Sequence, residues 1–320
     1  MDEQGLVKGI REYMAQLYDE GRFSTAKSYQ DALNSFVRYC GTEHIPYVAL
    51  NKENLRRYEA YLLERGSSRN TISTYMRRLR CVYNRAVDNG KAEYVPNLFR
   101  DVFTGIESRR KRSLSLEDQH RLMTAKVGDG ELRKIQLAIC LMYQYGGMPF
   151  VDFAHLRPVN IKKGMLDYKR QKTSTPIRME LLETEERMRK ELAGDNLDTN
   201  GYLYPFLSGC KEGYGEYKEY NRALLKFNRS LRTLRKTVGI EADVTSYTIR
   251  HSFAMALKEQ DVPVEMISEL LGHKSIKTTQ IYLRSFSLKR QTEVNLACFQ
   301  GVYNYIPDGR GLKNRMLLGR

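Results

Sequence analysis

Cysteine is scarce and poorly placed for cross-linking. The five present, Cys40, Cys81, Cys140, Cys210 and Cys298, are odd in number and include no Cys-x-x-Cys pair. That excludes a disulfide framework and predicts reduced, buried thiols. No apolar stretch approaches the roughly 20 residues that span a bilayer. The first residues, Met1-Asp-Glu-Gln-Gly5, are acidic and lack the apolar core of a secretory signal. A cytoplasmic protein without a membrane partner is the expectation. No set of Asp, Glu and His stands at metal-ligand spacing, so no metal and no other cofactor is expected. Internal repeats and low-complexity tracts are also missing. Acidic side chains are the minority: 38 Asp and Glu face 53 Lys and Arg, leaving a net charge of +15. So basic a chain calls for a polyanionic partner, and nucleic acid is the commonest.

The 320 residues favour two domains. Helical periodicity dominates the first third. Leu6, Ile10, Tyr13, Met14 and Leu17 share one face, and Ala26, Tyr29, Leu33, Phe36, Val37 and Cys40 make a second stripe closed by Gly41. Asn51 is placed to cap a third helix carrying Leu55, Tyr58 and Leu62. Ser68 is placed to start a fourth with Ile72, Tyr75, Leu79, Val82, Tyr83 and Ala86. The expectation is a four-helix domain over 1–103. Its third helix carries Arg56 and Arg57, and its fourth carries Arg69, Arg77, Arg78, Arg80 and Arg85. With few acidic neighbours, these suit either a phosphate-tracking face or a solvated one. A basic stretch, Arg109-Arg110-Lys111-Arg112, falls in a linker over 104–114. Ser115-Leu-Glu-Asp118 resembles a capping box that opens the second domain, 115–320. That domain reads as mixed: an apolar helix over 132–145, a small hairpin built from Met165–Thr173 and Ile177–Leu181, then helices.

Near the C-terminus the chain reads Thr245-Ser-Tyr-Thr-Ile-Arg250-His251, then Leu271-Gly272-His273, then Thr278-Thr-Gln-Ile-Tyr282. One segment thus holds a potential nucleophile, a permanent cation and two imidazoles. Breaking and rejoining a phosphodiester needs in-line attack, stabilisation of the extra charge on the non-bridging oxygens, and a proton for the leaving 5′-oxygen. A tyrosine nucleophile stores the bond energy as a phosphotyrosyl ester, so resealing needs no ATP. Arginine suits the charge-stabilising role because its planar fork matches two oxygens.

The order Arg250-His251, Leu271-Gly272-His273 and Tyr282 closely resembles the catalytic domain of tyrosine recombinases, the phage-type integrases. Ser68, Thr71, Tyr75, Leu79, Ala86 and Gly90 resemble the last helix of that family's core-binding domain, and Gln171-Lys172-Thr173 its hairpin lysine motif. The resemblance implies a mainly α fold with a small β-sheet: a helical core-binding domain followed by an α+β catalytic domain. It implies a site-specific recombinase acting on double-stranded DNA through a 3′-phosphotyrosyl intermediate. Tyr282 would be the nucleophile and Arg250 the phosphate clamp. His273 would donate to a non-bridging oxygen and Lys172 would protonate the leaving oxygen. His251 and Asp152 would support them, while Arg69, Arg77, Arg78, Arg80 and the basic linker would meet DNA. Four protomers on two DNA sites would exchange strands through a Holliday junction, with or without a DNA-bending accessory protein. Val294, Leu296, Phe299 and Val302 lie on the segment that relatives dock into a neighbouring protomer; packing on the same domain is the alternative.

Two positions depart from the pattern. Tyr247 stands where the family usually has histidine, and a phenol with a pKa near 10 is a poor base. The first catalytic arginine should lie in Tyr145-Gly-Gly-Met-Pro-Phe-Val-Asp152, yet the two positions it occupies in relatives are Pro149 and Gly146. Arg157, Arg170 and Arg112 are candidate substitutes. The loss leaves open a second reading, a DNA-binding protein that keeps the recombinase fold without cutting. A third is a helix-turn-helix regulator, with Val264–Leu271, a turn at Gly272, and a recognition helix presenting Lys274, Lys277, Thr278 and Gln280. It leaves Arg250-His251 and Lys172 without a role.

Overall fold

The computed structural model describes residues 5–107, 113–194, 201–283 and 288–303, without the side chains at 281, 282, 288–290 and 301–303. Its contacts divide into two units: 1–111 with 210–219, and 112–209 with 220–320.

The first unit is built on four helices, α1 (Leu6–Asp19), α2 (Phe23–Cys40), α3 (Lys52–Glu64) and α4 (Arg69–Asp88). The apolar stripes read from the sequence face inward: Leu6, Ile10, Leu17, Leu33, Phe36, Leu55, Tyr58, Ile72 and Leu79 are all buried in one core. Their starts and stops are chemical. Asn51 and Ser68 accept the backbone N–H groups of Asn54 and Thr71, and Gly41 ends α2 at φ 72°. Past α4 the chain returns across the bundle, adding Leu98, Phe99 and Val102 to its core.

The second unit begins with α5 (Leu116–Thr124), α6 (Gly130–Gln144) and the short α7 (Phe150–Ala154). Ser115 Oγ accepts the Asp118 N–H at 3.0 Å, which is half of the expected capping box. A three-stranded antiparallel sheet follows, β1 (Ile161–Lys162), β2 (Met165–Lys169) and β3 (Pro176–Glu180), in the order β1-β2-β3. Leu166 pairs with Met179 and Tyr168 with Ile177. The first hairpin strand is shorter than the sequence pattern suggested, ending at Lys169, because residues 171–173 form the turn. Then come α8 (Glu183–Ala193), α9 (Gly213–Thr237), α10 (Ser246–Glu259), α11 (Val264–Leu270), α12 (Ile276–Tyr282) and α13 (Leu288–Tyr303). The core of this unit gathers α6, α7, the sheet and α9 around Phe153, Tyr204, Phe227 and Leu231. The five cysteines carry free thiols, but Cys210 and Cys298 are exposed, contrary to the expectation of buried ones. Among the described residues no helix is long and apolar enough to cross a membrane.

Helix α10 is the element on which the candidate site hangs, and its start is doubly fixed. Thr245 Oγ1 accepts the Thr248 N–H while Thr248 Oγ1 accepts the Thr245 N–H, a reciprocal cap formed by two threonines. Thr245→Ala removes one half of it. We expect a loss of about 1 kcal/mol of stability, read as a lower urea midpoint for the second unit. An unchanged midpoint would mean that packing alone holds the start of α10.

Candidate active site

Arg250 lies in the second turn of α10 and is only 2% exposed. A guanidinium taken out of water must find acceptors, and this one finds three. Nη1 donates to the Gly147 carbonyl at 3.0 Å, and Nη2 donates to the Leu271 carbonyl at 2.5 Å and to His273 Nε2 at 3.1 Å. Burial, then the neighbouring Arg170 charge, lowers its pKa to about 10, so it remains a cation at neutral pH.

Arg170 comes from the hairpin. Alternation along β2 turns Leu166 and Tyr168 inward, and the same parity carries Arg170, just past the strand, into the core at 7% exposure. Its Nε donates to Asp152 Oδ2 at 3.2 Å. Its Nη1 donates to the carbonyls of Leu271 at 2.9 Å and Gly272 at 3.2 Å. Asp152, on α7, also accepts the Gln171 N–H at 2.8 Å through Oδ1, so one buried carboxylate fixes both the arginine and the start of the turn. The Leu271 carbonyl is therefore shared by two guanidiniums. Gly272 makes this approach possible: at φ 61°, an added Cβ would stand 2.6 Å from Arg170 Cδ and 2.7 Å from Ile177 Cδ1. Lys172 occupies the exposed hairpin turn, near enough for its charge to act on His273.

His273 follows this turn. Because a guanidinium can only donate, His273 Nε2 accepts from Arg250, and Nδ1 carries the proton toward Thr279 Oγ1 at 2.8 Å. Burial, and then the charges of Arg250, Arg170 and Lys172, lower its pKa to about 4. The imidazole is thus neutral at neutral pH, with its Nε2 lone pair held by Arg250. Thr279, itself buried, sits on α12, whose last residue is Tyr282. Lys258, buried on α10, donates through Nζ to the carbonyl of Leu283, the residue after Tyr282. The end of α12 is in this way tied to the helix that carries Arg250.

The remaining predicted residues separate. Tyr247 and His251 share α10 and meet edge-on, ring centroids 4.7 Å apart; Tyr247 is exposed and lies close enough to influence Arg250. Of the three candidate substitutes for the missing arginine, Arg157 lies over the Tyr202 ring at 5.1 Å, Arg112 lies outside the described residues, and Arg170 stands beside Arg250. Gly146 is held at φ 70°, with an added Cβ 3.2 Å from the Leu270 carbonyl, so an arginine there would be strained. On α4, about 100° per residue places Arg69, Arg77 and Arg80 within one arc of about 80°. Arg78 and Arg85 fall on the other edge. Arg78 bonds Ser28 Oγ at 2.9 Å and covers Tyr29; Arg85 bonds Gln16 at 3.0 Å and covers Tyr13. The basic run read from the sequence is therefore two faces, and one is engaged within the bundle. Arg57 pairs with Glu53. Arg109, Arg110, Lys111 and Arg112 lie outside the described residues. Thr279 and Lys258 were missed by sequence reasoning, and neither carries a local signal that would have found it.

Comparison with known proteins bears on the family and the fold. Residues 113–288 match the phage integrase family and residues 6–99 match the phage integrase SAM-like domain. Tyrosine recombinase XerD of Listeria innocua serovar 6a is 25% identical over 280 residues, 83% of this chain and 89% of that one. The fold is similar to that of a lambda integrase(75-356) dimer bound to a COC' core site, with a TM-score of 0.67 at 16% identity over 88% of this chain and 98% of that one. It is similar also to the Tn1549 transposon integrase in complex with a circular intermediate DNA, with a TM-score of 0.62 at 14% identity over 92% of this chain and 100% of that one. Fold and sequence together define a site-specific DNA recombinase of the tyrosine type. The chain belongs to the phage integrase family. The short helices α11 and α12 are part of that catalytic domain, so the helix-turn-helix regulator is set aside.

The neutral state of His273 is measurable. An NMR titration of its ring protons in the DNA-free protein should give a midpoint near 4. Because the folded pKa lies below the unfolded value, its contribution to stability is complete above about pH 6.5 and is lost as pH falls toward 4. A midpoint of 6.5 or higher would show that the imidazole faces water and not the two arginines.

Proposed function

We propose that Tyr282 attacks a DNA phosphodiester and that Arg250, His273 and Lys172 manage the charge and protons of that step. The observation that carries the reading is the contact of Arg250 with a neutral His273 at the entrance to the helix ending in Tyr282. In the forward step the Tyr282 oxygen bonds to phosphorus and its proton passes to His273 Nε2, which Arg250 releases as its Nη2 turns to the phosphate. The bond from phosphorus to the 5′-oxygen breaks, and that oxygen takes a proton from the Lys172 ammonium. A 3′-phosphotyrosyl ester and a 5′-hydroxyl result. The reverse transfers reseal the strand, and neither ATP nor an oxidant enters the balance. The sequence assigned His273 a donor role toward a non-bridging oxygen. With Nε2 unprotonated in the free protein, that role begins only after it has taken the tyrosine proton. The Tyr247 phenol, exposed at the start of α10, suits a further hydrogen bond to phosphate.

The same reading makes double-stranded DNA the partner, met in part by Arg69, Arg77 and Arg80 and by the basic linker. Action in the cytoplasm, with or without a DNA-bending accessory protein, belongs to it too. So does assembly as four protomers, as in the lambda integrase tetramer bound to a Holliday junction. Helix α13 exposes Val294, Leu296 and Phe299, each more than half accessible. A cavity of about 390 Å³ beside α11 is lined by Val262, Val264, Ile267 and Leu283. Exposed apolar side chains on α13, with Leu296 and Phe299 within about 60° of each other and Val294 on the other side, and a cavity that Lys258, Asp261 and Gln280 also line, suit a cyclic exchange between copies.

Two experiments follow. On nicked duplexes drawn from DNA flanking its own gene, the chain should form a protease-sensitive covalent adduct, and Tyr282→Phe should form none while still binding. Salt-sensitive binding without any adduct would instead favour a DNA-binding protein on a recombinase fold. Deleting residues from 291 onward should weaken assembly of four protomers on DNA more than binding of one; equal losses would assign α13 to its own domain.

A further inference from the structure

We propose that Arg170 supplies the phosphate-clamping cation that Pro149 and Gly146 do not, reaching the scissile phosphate from the β2–β3 hairpin beside Arg250. The inference rests on the reading of Tyr282 as nucleophile and of the Arg250 pocket as the phosphate site.

Three observations carry it. The guanidiniums of Arg170 and Arg250 converge on one backbone oxygen, the Leu271 carbonyl, so an anion placed against one lies within reach of the other. Among the described residues this cluster buries two guanidiniums and one carboxylate and half-buries one neutral imidazole, a surplus of one positive charge. Burying a cation without a counter-charge is costly, and a phosphodiester supplies the missing one. Finally, the bonds of Arg170 use Nε and Nη1, and Nη2 donates to no described residue. Nη2 is also not among the buried unpaired atoms, so this donor is open to an incoming anion.

Holding Asp152 is also a structural task, so loss of activity alone would not decide the matter. The deciding probe is the charge of the phosphate itself. Two nicked duplexes are compared, identical except that one has a neutral methylphosphonate at the scissile position. Single-turnover adduct formation is measured for the unaltered chain, Arg170→Gln and Arg170→Lys, with thermal melting and DNA binding as controls for folding. On the natural duplex Arg170→Gln should slow cleavage by about 100- to 1,000-fold, the usual effect of removing one charge-stabilising donor. Arg170→Lys keeps a charge for Asp152 but loses the planar fork, and should fall between. On the methylphosphonate duplex, where less charge develops, both variants should cleave within about 10-fold of the unaltered chain. Equal losses on both duplexes, or no cleavage of the neutral one, would overturn the assignment of Arg170 and leave that of Tyr282 standing. Failure of the unaltered chain to form an adduct on natural DNA that it binds would overturn the nucleophile reading, and this one with it.

Discussion

The carbonyl of Leu271 is the point on which the catalytic unit turns. It accepts one guanidinium from a helix and another from a β-hairpin, and it can do so only because the next residue has no side chain. Three segments far apart in sequence, the 165–180 hairpin, α10 and the α11–α12 turn, are registered to each other through this single oxygen. The other partners follow from it. Asp152 steadies the hairpin arginine, the Gly147 carbonyl steadies the helix arginine, and His273 emerges from the turn already aimed at Arg250.

Holding two guanidiniums together out of water is expensive, and the molecule meets the cost during folding rather than during reaction. The cores of α6, α7 and α9 supply the stability, and backbone carbonyls supply partial negative charge where full carboxylates would compete with a phosphate. Among the described residues the one carboxylate bound to the cluster is directed to the hairpin side of Arg170. Burial, and then the field of these two guanidiniums, holds the proton off His273, so on the proposed reading one arrangement provides both a receptor for negative charge and an acceptor for a proton.

Much of this was legible in the sequence. Apolar spacing located the four helices of the first unit, and Asn51, Ser68 and Gly41 marked their ends, because capping and periodicity are local. The spacing of Arg250 and His273 pointed to two side chains that the structure brings into contact. What could not be read depended on contacts between distant segments. Nothing local tells that Arg78 and Arg85 lie on tyrosines, that Thr279 orients an imidazole, or that Lys258 holds the end of α12. Arg170 is an intermediate case. It was one of three candidates, and the parity of Leu166, Tyr168 and Arg170 was a usable signal. It became decisive only once the strand was known to bury its even positions.

A catalytic guanidinium is defined by where its nitrogens stand, not by the backbone from which it extends. The glycine-rich loop that carries the first arginine in relatives is here committed to other work: Gly147 offers its carbonyl to Arg250, and Gly146 is held in a left-handed conformation that an arginine would occupy only under strain. On the proposed assignment, moving the cation to Arg170 avoids that conflict and has a further consequence. Arg170 and Lys172, two residues apart, then place the clamp and the proton donor on one hairpin, whose turn is locked from below by both oxygens of Asp152. The two functions can no longer be adjusted independently. On that assignment any shift of the hairpin that draws the lysine from the leaving oxygen also withdraws a guanidinium from the phosphate, and cleavage then requires the hairpin to be seated. In such an arrangement the loop that lost its arginine becomes a fixed wall, and the hairpin becomes the part that decides whether the site is complete.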